Sequence, residues 1–486
     1  MRSDNQNGQG SGTTARVVVI GAGITGLAAA YFLIKKAPAT KVTVLERSAT
    51  LGGKIVTQHS EGFLLEGGPD CFLTRKPWAL ALARELGLES DLIGTNDARR
   101  KIFVLSNGRL HPLPEGVMLI VPTQFLPFAT SRLISISGKL RMGMDLVIPA
   151  RRENGDETLA SFVRRRLGQE ALEKIAEPLL SGVHVSDPER LSLKSSFPRL
   201  MDVERKYGSL IRGMLAARRM MASGNNGSQS RLPMFMTLRG GMGQLVEAVA
   251  ERLASVDIRM ESQVTSLHSL DAGGPPYEVR TREGPALRAD AVILTTPSNV
   301  AGRLLETINP DLARELAAIR YVSTAVVSLG YGPQTGLAPL EGFGFIIPKT
   351  EGRRITACTW SSTKFDGRAP EGHQALRCFV GGPGREEMAE LDSDTLLEVV
   401  REELADMMGL KAEPSLVRIN RWLKLNPQYD LGHLDRVADL RTRAESHGGL
   451  FLAGSAYDGV GVPDCVRQAE EAADGVLRSL KVAATE

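Results

Sequence analysis

The chain has 486 residues and a formal net charge of +3, from 59 Lys and Arg against 56 Asp and Glu. That near balance does not call for a nucleic-acid partner, and the length exceeds what one hydrophobic core organises, so two or three domains are expected. Four cysteines, Cys71, Cys358, Cys378 and Cys465, form no C-x-x-C pair, which argues against a zinc site or disulfide framework and fits a reducing, cytoplasmic setting.

Residues 1–14 are polar, lack the apolar core of a signal peptide and read as a disordered leader. No apolar run approaches the roughly eighteen residues of a membrane-spanning helix. The run Val17-Val18-Val19-Ile20 then meets Gly21-Ala22-Gly23-Ile24-Thr25-Gly26 and an alanine-rich stretch, which predicts strand, tight turn and helix. In a dinucleotide-binding unit Gly21 makes the turn, Gly23 admits a pyrophosphate and Gly26 lets helix and strand pack closely. The helix N-terminus would face the phosphates with free N–H groups. A second strand, Lys41 to Leu45, ends in Glu46, about twenty residues past Gly26, where such a unit places the carboxylate for a ribose hydroxyl.

Two more glycine turns follow. Gly52-Gly53-Lys54 would suit an anionic cofactor, although an ordinary hairpin turn has the same composition. Gly62 to Asp70 predicts a strand running into Gly67-Gly68-Pro69. Trp78, Leu80, Leu82 and Leu86 predict an amphipathic helix ending at Gly87. Lys101 to Leu105 reads as a strand, with a hairpin at Asn107-Gly108. From Gly116 to Ala150 apolar and proline-rich stretches lie close to Arg132, Lys139 and Arg141, which fits the core of a helical subdomain, the commoner case, or a surface that dips into lipid headgroups. A basic amphipathic helix is predicted over Thr158 to Lys174, its Arg164-Arg165-Arg166 cluster read as a solvated face or a site for anionic lipid.

Residues 223–230 form the clearest loop. A glycine turn at Arg239-Gly240-Gly241 opens a helix through Arg252, followed by strands over Ile258 to Val264, Tyr277 to Arg280 and Ala291 to Thr295. Strands near 322–330, 343–347, 354–360 and 375–380 and a helix over 395–408 then predict a mainly antiparallel α+β sheet able to cover a large flat ligand. Finally Leu450 to Ala453 is strand-like, Gly454 and Gly459 lie in a loop, and Pro463 favours a helix start. The dipole of that helix would favour a nearby anion by about 1 kcal/mol.

Together these motifs resemble the flavin amine-oxidase superfamily, and within it the FAD-dependent porphyrinogen oxidases of haem biosynthesis, of the soluble bacterial type found in Gram-positive lineages. Supporting stretches are Ala176 to Val183, Leu191 to Pro198, Ile355 to Trp360 and, most specifically, Gly459-Val460-Gly461-Val462-Pro463-Asp464-Cys465. The resemblance implies an α/β plus α+β architecture: a discontinuous, glutathione-reductase-like FAD domain (15–76, 233–300 and 444–486), a mixed-sheet substrate domain (77–91, 205–232 and 301–443) and a helical, membrane-associating unit (92–204). It implies FAD held by Gly21, Ala22, Gly23, Ile24, Thr25, Gly26, Glu46, Arg47, Gly53, Lys54, Gly68, Pro69, Asp70, Cys71, Val264, Trp422, Gly454, Gly459, Val460, Gly461 and Val462. Val264 would lie at the adenine end, and Trp422 would touch the flavin.

The implied reaction removes six electrons from a porphyrinogen in three rounds, with molecular oxygen as acceptor and hydrogen peroxide as product. Ile346, Thr359 and Phe379 match positions facing the macrocycle, and Gly182 with Val183 a loop on its other side. Mitochondrial-type members hold a substrate propionate with an arginine whose place is taken here by Ile102. Arg75, Lys76, Arg100 and Lys101 are the candidate replacements, and a rim of several cations favours coproporphyrinogen over protoporphyrinogen. A homodimer and a peripheral membrane contact are also expected. No Ser-His-acid arrangement, metal-ligand spacing or P-loop is evident, His184 and His433 are isolated, and no general base stands out. An amine oxidase, a carotenoid desaturase or a non-enzymatic FAD-fold carrier would share the glycine motifs.

Overall fold

A computed structural model of the chain describes residues 14–118, 120–153, 155–179, 185–223, 232–270, 276–335 and 340–482. The expected leader, apart from Thr14, the loop at 224–230, and Gly182, Val183 and His184 lie outside the described residues.

A five-stranded parallel sheet forms the centre, in the order Asp257–Arg259, Lys41–Leu45, Arg16–Ile20, Ala291–Leu294, Leu450–Leu452. Its inner strands are apolar on both faces because both are covered. Val17, Val19 and Ile293 face a core shared with helices Ile24–Lys36, Pro77–Glu85, Gly243–Glu251 and Val462–Ser479. Val18, Ile20, Val292 and Leu294 face a second core, built with helices Ser298–Leu305, Pro310–Ala317 and His433–Glu445 and a three-stranded antiparallel sheet. Strict alternation along each strand thus splits one apolar run between two layers.

The second large unit is a seven-stranded sheet, in the order Leu416–Pro427, Tyr321–Tyr331, Gln374–Gly381, Ile355–Trp360, Gly344–Ile346, Ile102–Ser106, Arg109–Pro112. All neighbours are antiparallel except Gly344–Ile346 with Ile102–Ser106. One face is sealed by helix Ser393–Met408, through Leu396, Val400 and Leu404 against Phe345, Cys358, Cys378 and Val380. A third apolar cluster joins helices Leu159–Arg166, Pro198–Tyr207 and Leu210–Ser223 and reaches Ile346 and Tyr429.

Several expected boundaries move. Residues 102–112, expected in the helical unit, are two strands of the large sheet, because Ile102 and Phe103 pair across it with Gly344 and Phe345. Residues 92–94 pair with Phe235–Leu238. Helix Pro77–Glu85 buries Ala79, Leu82 and Ala83 in the parallel-sheet domain rather than the substrate domain. Leu210 and Met214 belong to the helical cluster, so residue 205 is no boundary. The single strand expected over Ile258 to Val264 is broken at Glu261, whose φ is 54°, and its two parts join different sheets. The helix expected through Lys174 stops at Leu167, because Gly168 turns with φ 93°.

The triple arginine does not form one face: Arg164 is exposed, Arg165 half-buried and Arg166 buried. Arg164 pairs with Glu189, and Arg165 bridges Glu157 and Glu204. Arg166 is fully buried: its Nε donates to Asp145 at 2.6 Å, and its other nitrogens donate to the carbonyls of Asp145, Ile148 and Gly208.

Candidate functional site

Gly21 has φ 106° and its N–H donates to the Leu45 carbonyl at 2.8 Å, which ends the first strand in a turn. A Cβ on Gly26 would lie 1.9 Å from the Gly21 carbonyl oxygen, so helix and turn meet backbone to backbone. Gly23 differs: the nearest atom to a Cβ there is 4.0 Å away, leaving open space in front of the helix N-terminus. That terminus, with Gly23 as its cap and Ile24 and Thr25 in its first turn, has no capping side chain. Its N–H groups are therefore free for an anion.

The Glu46 carboxylate accepts the Ala22 N–H at 2.8 Å and the Ser48 N–H at 2.9 Å. Its backbone pairs with Arg259 and Ser262, which brings Val264 to the same end of the site, while the side chain of Arg47 is exposed. Gly52 donates to the Ala22 carbonyl at 2.9 Å, and a Cβ on Gly53 would come within 3.1 Å of the Gly23 Cα. The second turn is thus laid on the first. A Cβ on Gly68 would lie 1.7 Å from the Lys54 carbonyl, so the third turn is laid on the second. The Lys54 ammonium is half-buried, donates to the Leu425 carbonyl at 2.9 Å, and is pushed down in pKa by desolvation.

The third turn is tied to the large sheet. Trp422 Nε1 donates to the Gly67 carbonyl at 2.9 Å, and Arg377 donates to that of Gly68. Beyond Pro69, Asp70 pairs with Lys364 at 2.7 Å and Arg377 at 3.6 Å, and takes the Cys71 thiol at 3.1 Å. Burial and the neighbouring Asp70 push the thiol up to about 12, so Cys71 is neutral.

The C-terminal loop closes the arrangement. Gly454, with φ 131°, lies near Thr25 and Thr295, and Thr25 shares a hydrogen bond with Cys465. Gly459 donates to the Tyr429 hydroxyl at 3.0 Å, Val460 packs on the helical cluster, and Gly461 caps helix Val462–Ser479 with Val462 at its start. The first turn of that helix already carries an anion: Asp464 is buried and accepts from Lys76 at 2.6 Å.

On the large sheet, Ile346, Ala357 and Phe379 form one cross-strand row, and Ile102, Gly344, Thr359 and Arg377 the next. Directly paired residues share a face. The half-exposed Ile346, Thr359 and Phe379 therefore lie together, opposite the face sealed by Ser393–Met408, and register extends that face to Asn420 and Trp422. Of the four candidate propionate partners, Lys76 is engaged by Asp464 and Lys101 by Glu341 at 3.1 Å, whereas Arg75 and Arg100 are exposed.

Sequence reasoning missed several residues that shape the site. Thr295 braces the first turn with its hydroxyl between the carbonyls of Ile20 and Gly21, at 2.9 and 3.0 Å. Glu66 is buried, accepts from Thr57 and from the Met242 N–H at 2.7 Å each, and is raised in pKa by burial. Tyr429 and His433 hold the last loop. Only Glu66, an acid ending an apolar strand before Gly67-Gly68, left a signal in the sequence. Among the described residues no cluster of His, Cys, Asp and Glu could hold a metal.

Three stacked glycine turns and a carboxylate fixed beside the first fit a dinucleotide cofactor, and the family match makes the chain a flavoprotein oxidoreductase. Residues 24–477 match the flavin containing amine oxidoreductases, and the chain belongs to that family. It is 38% identical to coproporphyrinogen III oxidase of Bacillus subtilis strain 168, over 96% of this chain and 98% of that one. It is 32% identical to protoporphyrinogen oxidase 1, chloroplastic, of Arabidopsis thaliana, over 96% and 89% respectively. The crystal structure of a 'putative protoporphyrinogen oxidase' from Exiguobacterium sp. 255-15 superposes with a TM-score of 0.85 at 34% identity, covering 96% of this chain and 99% of that one.

Proposed function

We propose that the chain oxidises a porphyrinogen to the porphyrin in haem biosynthesis, with coproporphyrinogen III as the preferred substrate. The observation that carries this reading is the 38% identity to a coproporphyrinogen III oxidase over almost the full length of both chains. FAD fits the chain because Gly23 leaves a space that a side chain would fill, facing a helix end with free N–H groups. Glu46, Gly53, Lys54 and Gly68 would hold it, in a glutathione-reductase-like, Rossmann-type domain. When bound, FAD supplies the redox chemistry, taking hydride from the substrate and passing electrons to oxygen.

The protein's own work is positioning. Ile346 and Phe379 offer an apolar floor for a macrocycle and displace water from it, and Thr359 offers a hydroxyl at the same level. Arg75 and Arg100, both exposed, are the proposed partners for propionates. Anaerobic mixing with coproporphyrinogen III and protoporphyrinogen IX in parallel tests the reading, with flavin bleaching and porphyrin fluorescence as signals. Faster bleaching by coproporphyrinogen III is expected, and no bleaching by either removes the assignment.

The helical unit supports a peripheral membrane contact. Ile136, Leu140 and Val147 are 79, 71 and 76% exposed and lie close in sequence with Met144, a stripe suited to the headgroup boundary. No helix of the described residues is long and apolar enough to cross a membrane. Sedimentation with anionic vesicles should fall when Ile136 and Leu140 are changed to serine.

A further inference from the structure

We infer that Asp70, Lys364 and Arg377 form a fixed positive charge behind the Gly67-Gly68 turn and that this charge raises the reduction potential of the flavin. The inference rests on FAD lying along the three glycine turns. Two cations share one carboxylate: Lys364 Nζ is 2.7 Å and Arg377 3.6 Å from Asp70, and the three side chains are 16, 6 and 17% exposed in the order Lys364, Arg377, Asp70. The neighbouring thiol adds no negative charge, since Cys71 is held protonated by burial and by Asp70. The nearby Glu66 acts on Arg377 and then on Arg368, and the buried Arg368, its guanidinium held by the carbonyls of Arg239 and Leu238, supplies the extra cation that keeps the whole group one positive charge in excess. The cluster therefore carries one net positive charge largely out of water.

Such a charge is costly to bury, and stability alone gives no reason to keep it, because an apolar replacement of similar shape is commonly as stable. Arg377 makes the point sharper. Its Nε is buried without a partner, it stacks on the Phe379 ring at 4.9 Å, and it belongs to the open face of the sheet. One of its nitrogens donates to Gly68, in the turn that lies on Lys54, so the charge is coupled to the cofactor wall through a single peptide. The helix Val462–Ser479 cannot supply the whole effect, since Asp464 in its first turn, paired with Lys76, offsets part of its dipole.

Taking two electrons and one proton turns neutral flavin into an anion. A preorganised cation in a water-poor site favours the form whose charge develops. Lys364 and Arg377 are positioning residues in this account, not groups that exchange protons with substrate.

The test is the two-electron midpoint potential of the purified holoenzyme, measured by dye equilibration alongside FAD content and visible spectrum. Lys364→Met cancels the net charge and should lower the potential by about 30 mV, a tenfold change in the reduction equilibrium. Lys364→Arg should keep the wild-type value. Asp70→Asn combined with Lys364→Met leaves Arg377 alone, restores one positive charge and should bring the potential back. Arg377→Gln cancels the charge by a second route and should lower it, which decides the matter if Lys364→Met does not fold. Equal potentials in wild type, Lys364→Met and Arg377→Gln, with FAD retained, overturn the inference. So does a loss in the double variant as large as in the single one. A wild-type protein that holds no flavin overturns the cofactor reading instead.

Discussion

The imidazole of His433 stacks flat on the phenol of Tyr429, with ring centroids 3.9 Å apart and planes 13° from parallel. Each ring grips the C-terminal loop. The Tyr429 hydroxyl accepts the Gly459 N–H at 3.0 Å and donates to the Ser455 carbonyl at 2.8 Å, while His433 Nε2 donates to the Tyr457 carbonyl at 2.8 Å. Tyr429→Phe keeps the stack and removes both hydroxyl bonds, taking the partner from a half-buried N–H and from a half-buried carbonyl. The expected cost is about 1–3 kcal/mol, together with faster FAD release, read as the ratio of flavin to protein absorbance during dialysis.

The same pair sets a pH dependence. Burial holds the His433 pKa down at about 4, against an ordinary value near 6.5. The unfolded chain then binds a proton that the folded chain refuses between those two values. Stability should fall as pH drops from about 6.5 to 4 and level off below, by at most about 3 kcal/mol from this group. Urea titrations at pH 7, 6, 5 and 4.5 should show a shallower loss in His433→Gln than in the wild type. Parallel curves would mean that other groups carry the acid sensitivity.

Gly23 and Gly26 separate fold from binding. The methyl of Gly23→Ala would find its nearest neighbour, the Gly53 backbone, 4.0 Å away, and the φ of −68° suits any residue. Its apoprotein should match wild type within about 0.5 kcal/mol, while FAD affinity drops about tenfold or more, or 1.4 kcal/mol. Gly26→Ala drives a methyl into the Gly21 carbonyl and should destabilise the apoprotein itself by about 1–3 kcal/mol. Apoprotein melting and FAD titration on both variants distinguish the two outcomes.

Phe379 tests the sheet face. Phe379→Ala removes a half-buried ring on which the Arg377 guanidinium stacks. Losing its contact with a flat apolar substrate should cost about 1.5–3 kcal/mol of binding, seen as a KM raised roughly ten- to hundredfold with the flavin spectrum unchanged. A changed spectrum with unchanged KM would place Phe379 against the cofactor instead.

Arg166 is the buried anchor of the helical unit. Arg166→Met leaves Asp145 charged and unpaired except for Ser209 and the Ile211 N–H, and should cost about 3–5 kcal/mol. Ile136→Ser on the exposed stripe should change unfolding free energy by less than about 0.5 kcal/mol.

What was legible in the sequence is what local chemistry decides. Gly21, Gly23, Gly26 and Glu46 sit within one β-α-β stretch, and glycine spacing alone constrains their backbone. The shared face of Ile346, Thr359 and Phe379 was not legible from alternation, because the three lie on different strands and only the register that pairs Ile346 with Ala357 and Ala357 with Phe379 brings them together; the resemblance alone names them. Illegible were contacts made across long separations. Nothing near Ile102 announces a parallel partner at Gly344, and nothing in Arg164-Arg165-Arg166 distinguishes the one arginine whose partner, Asp145, waits in a buried turn. His433 looked isolated, and Tyr429 carried no motif, because the loop they hold begins 21 residues beyond His433, at Gly454.

The order of strands in the central sheet has a consequence for biosynthesis. Strand Arg16–Ile20 leaves the ribosome early, yet it lies between Lys41–Leu45 and the much later Ala291–Leu294, and the edge strand Leu450–Leu452 comes later still. Val18 must therefore wait for Val292, and the loop carrying Gly454 and Gly459 follows only after that. At roughly 5–20 residues per second, the nascent chain spends on the order of half a minute with this inner strand missing one neighbour. The proposed flavin site, walled at one end by Gly21 to Gly26 and at the other by Gly454 to Gly461, is therefore complete only once the whole sheet has been synthesised.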